Sequence, residues 1–296
     1  MDEVVILLST YNGEKYLDEQ IQSLIEQENI KVKIFVRDDG STDATVNILK
    51  KYAELDILSF YIGSNLGSAR SFMNLMIHAP QAEYYALCDQ DDIWMKDKLF
   101  TAVFALKELK GPGLFYHAMN LVNSDIQKYG YYFRAEKYAQ SMEYSCLFGD
   151  EIAGCTMVFN KKLLDCIRQY NPEFITMHDG WIHRVCLCVG ATIIGDKTAY
   201  INYRQHGNNA VGMSKRGITT KLKNLFKKQR KFSKLAIEMI NGYQKVLTEN
   251  NRDFLQLISK YKSVKRKLKI ISIASRVCND KKKITELKIK LLYSSF

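Results

Sequence analysis

The 296-residue sequence lacks any long hydrophobic segment, repeat or low-complexity tract. No stretch reaches the ~18 uninterrupted apolar residues that a membrane-spanning helix needs. The first apolar run, Val4–Leu8, is short and leads directly into the polar segment Ser9–Gly13, so we expect no N-terminal signal peptide. With 47% apolar residues, the chain can still bury one substantial core and an appendage.

The sequence also lacks the paired Cys-x-x-Cys spacing of zinc sites. It contains seven cysteines, an odd number, and several of them lie in apolar runs. A disulfide framework is therefore not indicated. We expect reduced structural thiols in a cytoplasmic protein.

The most informative segment that is present is Asp89-Gln90-Asp91-Asp92, directly after the apolar run Tyr84–Cys88. Carboxylates crowded at the end of a buried strand repel one another, which favours a bound divalent cation. Oxygen ligands favour Mg²⁺ or Mn²⁺, and such ions usually also bind substrate phosphates, which indicates a nucleotide diphosphate donor. In the alternative interpretation, Asp91 or Asp92 only caps a helix over residues 93–109.

Three further apolar runs are followed by polar loops and amphipathic segments. The predicted strands are 4–8, 32–36, 59–62 and 84–88, and the predicted helices between them are 14–27, 44–52 and 71–78. This alternation predicts an α/β fold with a mostly parallel sheet and helices on both faces. Ligands of such folds bind outside the carboxyl ends of the strands, where every polar cluster lies.

These polar clusters resemble the motifs of a family 2 glycosyltransferase with the GT-A fold, a Rossmann-like mixed sheet. Such enzymes transfer a sugar from a nucleotide sugar to an acceptor hydroxyl, with inversion at the anomeric carbon. The resemblance covers about residues 4 to 209, and its Asp-Gln-Asp-Asp-x-Trp segment is most similar to bacterial surface-polysaccharide rhamnosyltransferases. The matching motifs are Ser9–Gly13, Asp38–Asp43, Asn65 with Gly67 and Arg70, Asp89–Trp94, His178-Asp179 and Tyr203–Asn209.

The resemblance implies a nucleotide-sugar site at the ends of the first strands. Asp39 would pair with the imide of the base and Tyr11 would stack on it; the alternatives are a turn-forming Asp and a tyrosine at the edge of the core. Arg204 would clamp phosphate oxygens, unless it only closes the domain. The predicted nucleotide-sugar-binding residues are Ser9, Thr10, Tyr11, Asn12, Asp38, Asp39, Arg70, Asp89, Gln90 and Arg204.

The same resemblance implies a metal site and a catalytic base. Asp91 would bind Mn²⁺ or Mg²⁺, Asp89 would share that ion or contact the ribose, and His206 would complete the coordination. Inverting transfer needs a base for the acceptor hydroxyl, and Asp179 matches the family position. In the alternative interpretation, Asp179 caps a helix over 181–189.

Three residues are predicted to contact the acceptor: Trp94, His178 and Trp181. The two tryptophans are the only ones in the sequence, and each lies beside a proposed functional carboxylate. Aromatic faces stack on sugars, but both rings would serve equally well as hydrophobic anchors. His178 stands where the family more often has glutamate, and a structural histidine is its alternative interpretation.

Charge divides the chain near residue 214. Residues 215–296 contain 23 Lys and Arg and 5 Asp and Glu, a net charge of +18, whereas residues 1–214 contain 20 and 27, a net charge of −7. We therefore predict a catalytic domain over 1–214 and a basic helical region over 215–296. Its amphipathic helices are predicted at about 218–248, 254–278 and 284–292.

The basic region has three interpretations. An anionic membrane surface, where a lipid-linked acceptor would be found, ranks first and places the protein peripherally at the inner face of the cell membrane. A homodimer or packing within the protein ranks second. Nucleic acid ranks last, because no nucleic-acid module is present.

The sequence therefore predicts a metal-dependent inverting glycosyltransferase that adds a sugar to a lipid-linked or growing bacterial polysaccharide. Rhamnose from dTDP-rhamnose is one candidate sugar. The alternatives are a glucosyl or galactosyl transferase that uses a UDP-hexose, and a non-catalytic glycosyltransferase-like scaffold subunit. A sugar-phosphate nucleotidyltransferase is disfavoured because Ser9–Gly13 is not a glycine-rich loop followed by a basic residue.

Overall fold

The computed structural model describes residues 1–149, 152–205 and 231–293. Within these residues, nine strands form one mixed sheet. The strands are β1 (Glu3–Thr10), β2 (Lys31–Asp38), β3 (Leu58–Ile62), β4 (Tyr84–Cys88), β5 (Ile93–Trp94), β6 (Gly113–Val122), β7 (Lys128–Tyr132), β8 (Val158–Asn160) and β9 (Thr192–Arg204).

Twelve α-helices lie in the described part of the chain, together with a 3₁₀ turn at Gly154–Thr156. Eight precede residue 206: α1 (Leu17–Ile25), α2 (Thr45–Glu54), α3 (Ser68–His78), α4 (Lys98–Leu106), α5 (Glu136–Ala139), α6 (Met142–Phe148), α7 (Lys161–Arg168) and α8 (His178–Val189). Four follow residue 230: α9 (Lys231–Tyr243), α10 (Glu249–Ser259), α11 (Val264–Val277) and α12 (Lys281–Leu292).

The sheet order is β3-β2-β1-β4-β8-β6-β9-β5, with β7 paired to β6. Strands β1 to β4 are mutually parallel, whereas β8 runs antiparallel to both β4 and β6. The four strands predicted from the sequence are confirmed, with ends that differ by one or two residues. Because β1, β2 and β4 are parallel, their carboxyl ends meet at one edge of the sheet, where the polar loops follow.

Two hydrophobic cores cover the two faces of the sheet. Successive side chains of a strand point to opposite faces. Accordingly, Val5 and Leu7 of β1 join one core with α3, α7 and α8, while Val4, Ile6 and Leu8 join the other with α1, α2 and α4. The predicted α/β fold with helices on both faces is therefore confirmed.

The segment after the acidic motif differs from the alternative interpretation of that motif. That interpretation required one helix over residues 93–109, but Ile93 and Trp94 form β5, which pairs antiparallel with β9, and α4 begins only at Lys98. Asp92 therefore caps no helix. Its Oδ1 instead accepts a hydrogen bond from the backbone N–H of Arg204, 3.1 Å away, which ties the acidic segment to the end of β9.

The C-terminal helices pack against the catalytic fold. Ala236 and Met239 of α9, Leu255 of α10 and Ile270 of α11 are fully buried in the same core as α7 and α8. The second predicted C-terminal helix is in fact two, α10 and α11, because the chain turns at 260–263. No helix among the described residues is long and apolar enough to cross a membrane.

Candidate active site

A cavity of about 680 Å³ lies at the carboxyl edge of β1, β2 and β4 and is closed on its far side by the start of α8. Its walls bring together segments that are far apart in the sequence. Among the lining residues are Ser9, Thr10, Tyr11, Asp39, Asn65, Gly67, Phe72, Asp89, Gln90, Asp91, Tyr132, Arg134, Gly154, Cys155, His178, Asp179 and Tyr203.

The loops after β1 and β2 hold each other in place. Asn12 adopts a left-handed conformation (φ 47°), and its Oδ1 accepts a hydrogen bond from the backbone N–H of Thr42. The fully buried Asp38 accepts hydrogen bonds from the hydroxyls of Thr10 and Ser41 and from the backbone N–H groups of Gly40 and Ser41. Asn12 and Asp38 were predicted to bind the nucleotide sugar; neither is among the residues that line the cavity, and their hydrogen bonds hold the two loops together.

Asp39 lies in the wall itself. Its Oδ1 forms a buried ion pair with Arg37, and its two carboxylate oxygens accept hydrogen bonds from the backbone N–H groups of Leu66 and Gly67. Arg37 also donates to Ser71 Oγ, which lies 2.6 Å from Ser9 Oγ. This network fixes Asp39 at the cavity edge and joins the loops that follow β1, β2 and β3.

Tyr11 and Gln90 form a second link across the cavity mouth. The N–H of Tyr11 donates to Gln90 Oε1 (2.8 Å), and Gln90 Nε2 donates to the carbonyl of Tyr11 (3.1 Å). The Tyr11 side chain remains 47% exposed, so its ring is available to stack on a planar ligand. The adjacent Gly13 has no room for a side chain, because a Cβ there would lie 2.4 Å from Gln90 Oε1.

The acidic segment places three carboxyl groups at the end of β4. Burial, followed by the charges of Asp91 and Asp179, raises the pKa of Asp89 to about 7. Burial and the neighbouring carboxylates also raise the pKa of Asp92 well above its usual range, and Asp92 Oδ2 is buried without a hydrogen-bond partner. Asp91 lines the cavity and is nearly buried.

This excess of negative charge fits a divalent cation. Ligand atoms of Asp89, Asp92 and Cys155 all lie within 4.8 Å of one another. Burial raises the pKa of the Cys155 thiol well above its usual range, so the sulfur stays protonated and the carboxylate oxygens are the better ligands. The buried Lys98 is a nearby cation, but its Nζ donates to the carbonyl of Cys155 and lies 3.2 Å from the centroid of the Trp94 ring.

Asp179 faces the acidic segment from the first turn of α8. Its charge contributes to the raised pKa of Asp89, and both carboxyl groups line the same cavity. Burial in turn raises the pKa of Asp179 to about 6. Its Oδ1 accepts from the N–H of Gly180 (2.6 Å). The helix begins at His178 with Met177 as its N-cap, so Asp179 is not the capping residue.

His178 lies between Phe72 and Gly154 in the cavity wall. Its ring stacks on Phe72, with centroids 4.0 Å apart, and Gly154 makes room for it, since a Cβ there would lie 2.5 Å from His178 Nε2. Burial lowers the pKa of His178 to about 3, so the ring is neutral at physiological pH. This packing fixes the start of α8 and with it Asp179.

The loop before α8 is held from two sides. Arg70 donates two hydrogen bonds of 2.7 Å to the carbonyls of Pro172 and Glu173. Arg70 was predicted to bind the nucleotide sugar, but it is not among the residues that line the cavity. From the opposite side, Glu238 of α9 accepts from the N–H groups of Glu173 and Phe174 and from the hydroxyl of Tyr170. A C-terminal helix therefore positions the segment that leads to Asp179.

Two predicted acceptor contacts, Trp94 and Trp181, do not reach the cavity. Trp181 is fully buried between Tyr170 and Tyr243, and Trp94 is 97% buried beside Lys98, so neither ring presents a face to an acceptor. Both are hydrophobic anchors.

Arg204 also does not line the cavity, because its guanidinium bonds to other parts of the protein. It is 1% exposed, and its guanidinium donates to the carbonyls of Asp91 and Ser124 and to Glu19. It therefore holds the acidic segment from behind rather than clamping phosphate. The proposed metal ligand His206 lies outside the described residues.

Sequence reasoning missed several lining residues, among them Phe72, Gly154 and Cys155. No local pattern marks them, since each belongs to a hydrophobic run or a short turn. Tyr132, the last residue of β7, and Arg134, just after it, also line the cavity.

The comparisons with known proteins agree with this geometry. Residues 5–167 match the family model described as glycosyl transferase family 2. The chain is 29% identical over 220 residues to the dTDP-rhamnosyl transferase RfbG of Shigella flexneri, a match that covers 69% of this chain and 73% of that protein. It is 31% identical over 106 residues to the poly(ribitol-phosphate) beta-N-acetylglucosaminyltransferase TarS of Staphylococcus aureus, which covers 35% of this chain and 18% of that protein.

Solved structures show the same fold. The structure of S. aureus TarS residues 1–349 with UDP-GlcNAc superposes with a TM-score of 0.61 at 17% identity, covering 100% of this chain and 90% of that chain. The mannosyltransferase PcManGT of Pyrobaculum calidifontis, solved with GDP-Man and Mn²⁺, superposes with a TM-score of 0.55 at 15% identity, covering 98% and 86%. From its sequence match and its fold, we conclude that this chain belongs to glycosyl transferase family 2.

Proposed function

We propose that this protein is a metal-dependent, inverting glycosyltransferase with Asp179 as its catalytic base. The observation that supports this most directly is the placement of Asp179 and the acidic segment in one cavity, where the charge of Asp179 contributes to the raised pKa of Asp89. Inverting transfer needs this arrangement, because the attacking and departing oxygens lie on opposite faces of the anomeric carbon.

The donor would occupy the edge formed by the loops after β1, β2 and β4. Tyr11 would stack on the base and Asp39 would accept its imide N–H, with Ser9, Thr10 and Gln90 lining the path to the diphosphate. Asp89 and the cavity-lining Asp91 would hold Mn²⁺ or Mg²⁺. Asp92, whose ligand atom lies within 4.8 Å of that of Asp89, and His206 are further candidate ligands. The bound ion would neutralise the charge of the departing nucleoside diphosphate.

The acceptor would enter beside Asp179. Asp179 takes the proton of the acceptor hydroxyl while the acceptor oxygen attacks the anomeric carbon, and the bond from that carbon to the diphosphate oxygen breaks on the opposite face. The products are the glycoside and the nucleoside diphosphate. Tyr132 and Arg134 line the wall available to the acceptor. His178 would contact it through the ring edge at the cavity surface.

The biological setting is a proposal based on similarity. The relatives RfbG and TarS are named for dTDP-rhamnosyl transfer and for transfer of N-acetylglucosamine to poly(ribitol phosphate). We propose that this protein transfers rhamnose from dTDP-rhamnose to a lipid-linked or growing bacterial polysaccharide, as in capsule or cell-wall synthesis. It would work in the cytoplasm at the inner face of the membrane, with a homodimer as a further arrangement.

Calorimetric titration tests this function. The purified protein is titrated with dTDP-rhamnose, UDP-glucose and UDP-galactose, each with Mn²⁺ or Mg²⁺ and again with EDTA. We expect one donor to bind with metal and to lose at least about tenfold in affinity with EDTA. Metal-independent binding of that donor would contradict the metal assignment. If no donor bound in the presence of metal, the scaffold interpretation would replace catalysis.

A further inference from the structure

Helix α11 has two faces of different character. Its buried face consists of Ile270, Ile273 and Ala274, which pack into the core shared with the catalytic fold. Residues three and four apart lie on the same side of a helix. The opposite side is solvent-exposed and consists of Val264, Lys265, Leu268, Lys269, Ser272, Ser275 and Arg276. We name these seven residues the α11 outer face.

The α11 outer face combines exposed apolar and basic side chains in two adjacent stripes. Val264 is 74% exposed and Leu268 is 63% exposed, one helical turn apart. Lys265, Lys269 and Arg276 lie beside them on the same side of the helix. The helix contains no Asp or Glu at all, so within it nothing offsets these positive charges.

The neighbouring helix extends this pattern. Helix α12, which packs on α11, carries the exposed Lys281, Lys282 and Lys288. Its last residue, Leu292, is 73% exposed, and Tyr293, which follows it, is 56% exposed. Exposed leucine, valine and tyrosine among lysines are the composition of surfaces that insert shallowly into the headgroup region of a bilayer. A helix face that only contacts water has no need of large exposed apolar side chains such as Val264, Leu268 and Leu292.

A small cavity lies at the edge of the α11 outer face. It measures about 220 Å³ and is lined by Lys137, Tyr138, Ser141, Arg276, Val277 and Asn279. Two cations and several hydrogen-bonding groups around a space of this size suit a phosphate headgroup. Lys137 is three residues from Arg134, which lines the catalytic cavity, and three residues span at most roughly 11 Å. The small cavity, to which the α11 outer face contributes Arg276, therefore shares a short chain segment with the acceptor side of the catalytic cavity.

We propose that the α11 outer face docks this protein on an anionic phospholipid bilayer, with Val264 and Leu268 inserted among the acyl chains and Lys265, Lys269 and Arg276 on lipid phosphates. The proposal specifies which side of the protein meets the membrane. It rests on the proposed function only for the reason why the protein docks, which is to reach a lipid-linked acceptor. A lipid-linked acceptor held in the same bilayer would then reach Asp179 without leaving the membrane surface.

Vesicle flotation of the full-length protein tests the proposal. One set of vesicles contains phosphatidylcholine alone, and the other contains phosphatidylcholine with phosphatidylglycerol. The test variants are K265E/K269E, which reverses two charges, and V264E/L268E, which removes the apolar pair. The matched control is K33E/K50E, which makes the same charge change at two exposed lysines of β2 and α2.

We expect the wild type and K33E/K50E to float with phosphatidylglycerol vesicles and not with phosphatidylcholine alone. Each surface lysine contributes about a factor of five to binding an anionic bilayer, so K265E/K269E should lose at least about tenfold in partition coefficient. V264E/L268E should lose a similar factor. All four proteins should share one melting temperature, because the changed side chains are exposed.

Two results would overturn the proposal. One is equal flotation of K265E/K269E, K33E/K50E and wild type. The other is loss of self-association in V264E/L268E, measured by light scattering, with vesicle binding intact, which would make the α11 outer face a dimer contact. Flotation needs no sugar transfer, so neither result bears on Asp179, and a failed transfer assay would leave the docking test unaffected.

Discussion

Asp179 illustrates how the environment of one side chain sets its chemistry. An aspartate in water is a weak base at neutral pH, but burial in the cavity wall raises the pKa of Asp179 to about 6. A base is most effective when its pKa lies near the working pH. The hydrogen bond from the Gly180 N–H keeps the carboxylate oriented without removing its basicity.

The rate of transfer should therefore depend on pH. Asp179 accepts a proton only when ionised, so kcat at saturating donor and metal should be constant above about pH 7 and fall about tenfold per pH unit below about pH 6. The measurement is initial rate against pH. Nucleotide binding, measured at the same pH values, is the control. An acidic limb near pH 4 would contradict a raised pKa for the catalytic base.

At the level of residues, the sequence placed the polar residues at the strand ends correctly in the cavity, but it also predicted ligand contacts for residues that do not line it. Ser9, Thr10, Tyr11, Asp39 and Asp179 all line the cavity, because each directly ends a parallel strand or begins a helix at that edge. Arg204 and Trp181 do not line it. A sequence pattern gives the position of a residue along an element, but whether its side chain is used for packing depends on partners such as Glu19 and Tyr170, which are distant in the chain.

At the level of elements, helix α9 links the C-terminal region to the catalytic base. The carboxylate of Glu238 accepts three hydrogen bonds from residues 170–174, and on the other side of that loop Arg70 holds two carbonyls. The ring of Tyr170 lies flat against α9, where Gly242 provides the space. The loop that leads to Met177 and the start of α8 is thus held between α3 and α9.

Removal of this clamp should impair catalysis more than donor binding. Glu238→Ala leaves two backbone N–H groups and a tyrosine hydroxyl without their partner, at a cost of about 1–3 kcal/mol for each group that stays buried. We expect kcat to fall at least about tenfold while the Kd for nucleotide changes less than about twofold. Glu238→Gln keeps one acceptor oxygen and should be intermediate.

Glu249→Ala provides the matched control, since Glu249 lies at the exposed start of α10. It should have wild-type kcat and stability. An unchanged kcat in Glu238→Ala, or an equal loss of kcat in Glu249→Ala, would contradict the positioning role of Glu238.

At the level of the whole molecule, the division predicted near residue 214 marks a change in net charge. The regions before and after it share one hydrophobic core. Buried residues of α9, α10, α11 and α12 belong to one hydrophobic cluster with α3, α7 and α8. The sequence showed the amphipathic pattern of the C-terminal helices and their lysines. It could not show which partner covers the apolar side, because a core, a second copy and a membrane all require the same spacing.

A chain ending at residue 214 should therefore be unstable. The truncation would expose the core side of α7 and α8, including the side chains that surround Trp181 and Tyr170. We expect aggregation, or a melting temperature at least about 10 °C lower, measured by scanning calorimetry and size-exclusion chromatography. A soluble monomer of 1–214 with the melting temperature and transfer activity of the full chain would instead show an independent catalytic domain.

The central claim is that Asp179 deprotonates the acceptor while the acidic segment holds the donor. The most direct measurement is a comparison of Asp179→Asn with the wild type, with transfer of radiolabelled sugar as one readout and calorimetric donor affinity with Mn²⁺ as the other. The amide has nearly the same shape but cannot take a proton. We predict a loss of transfer of about 10²-fold or more with donor affinity changed less than about twofold. Transfer at the wild-type rate by Asp179→Asn would contradict the account.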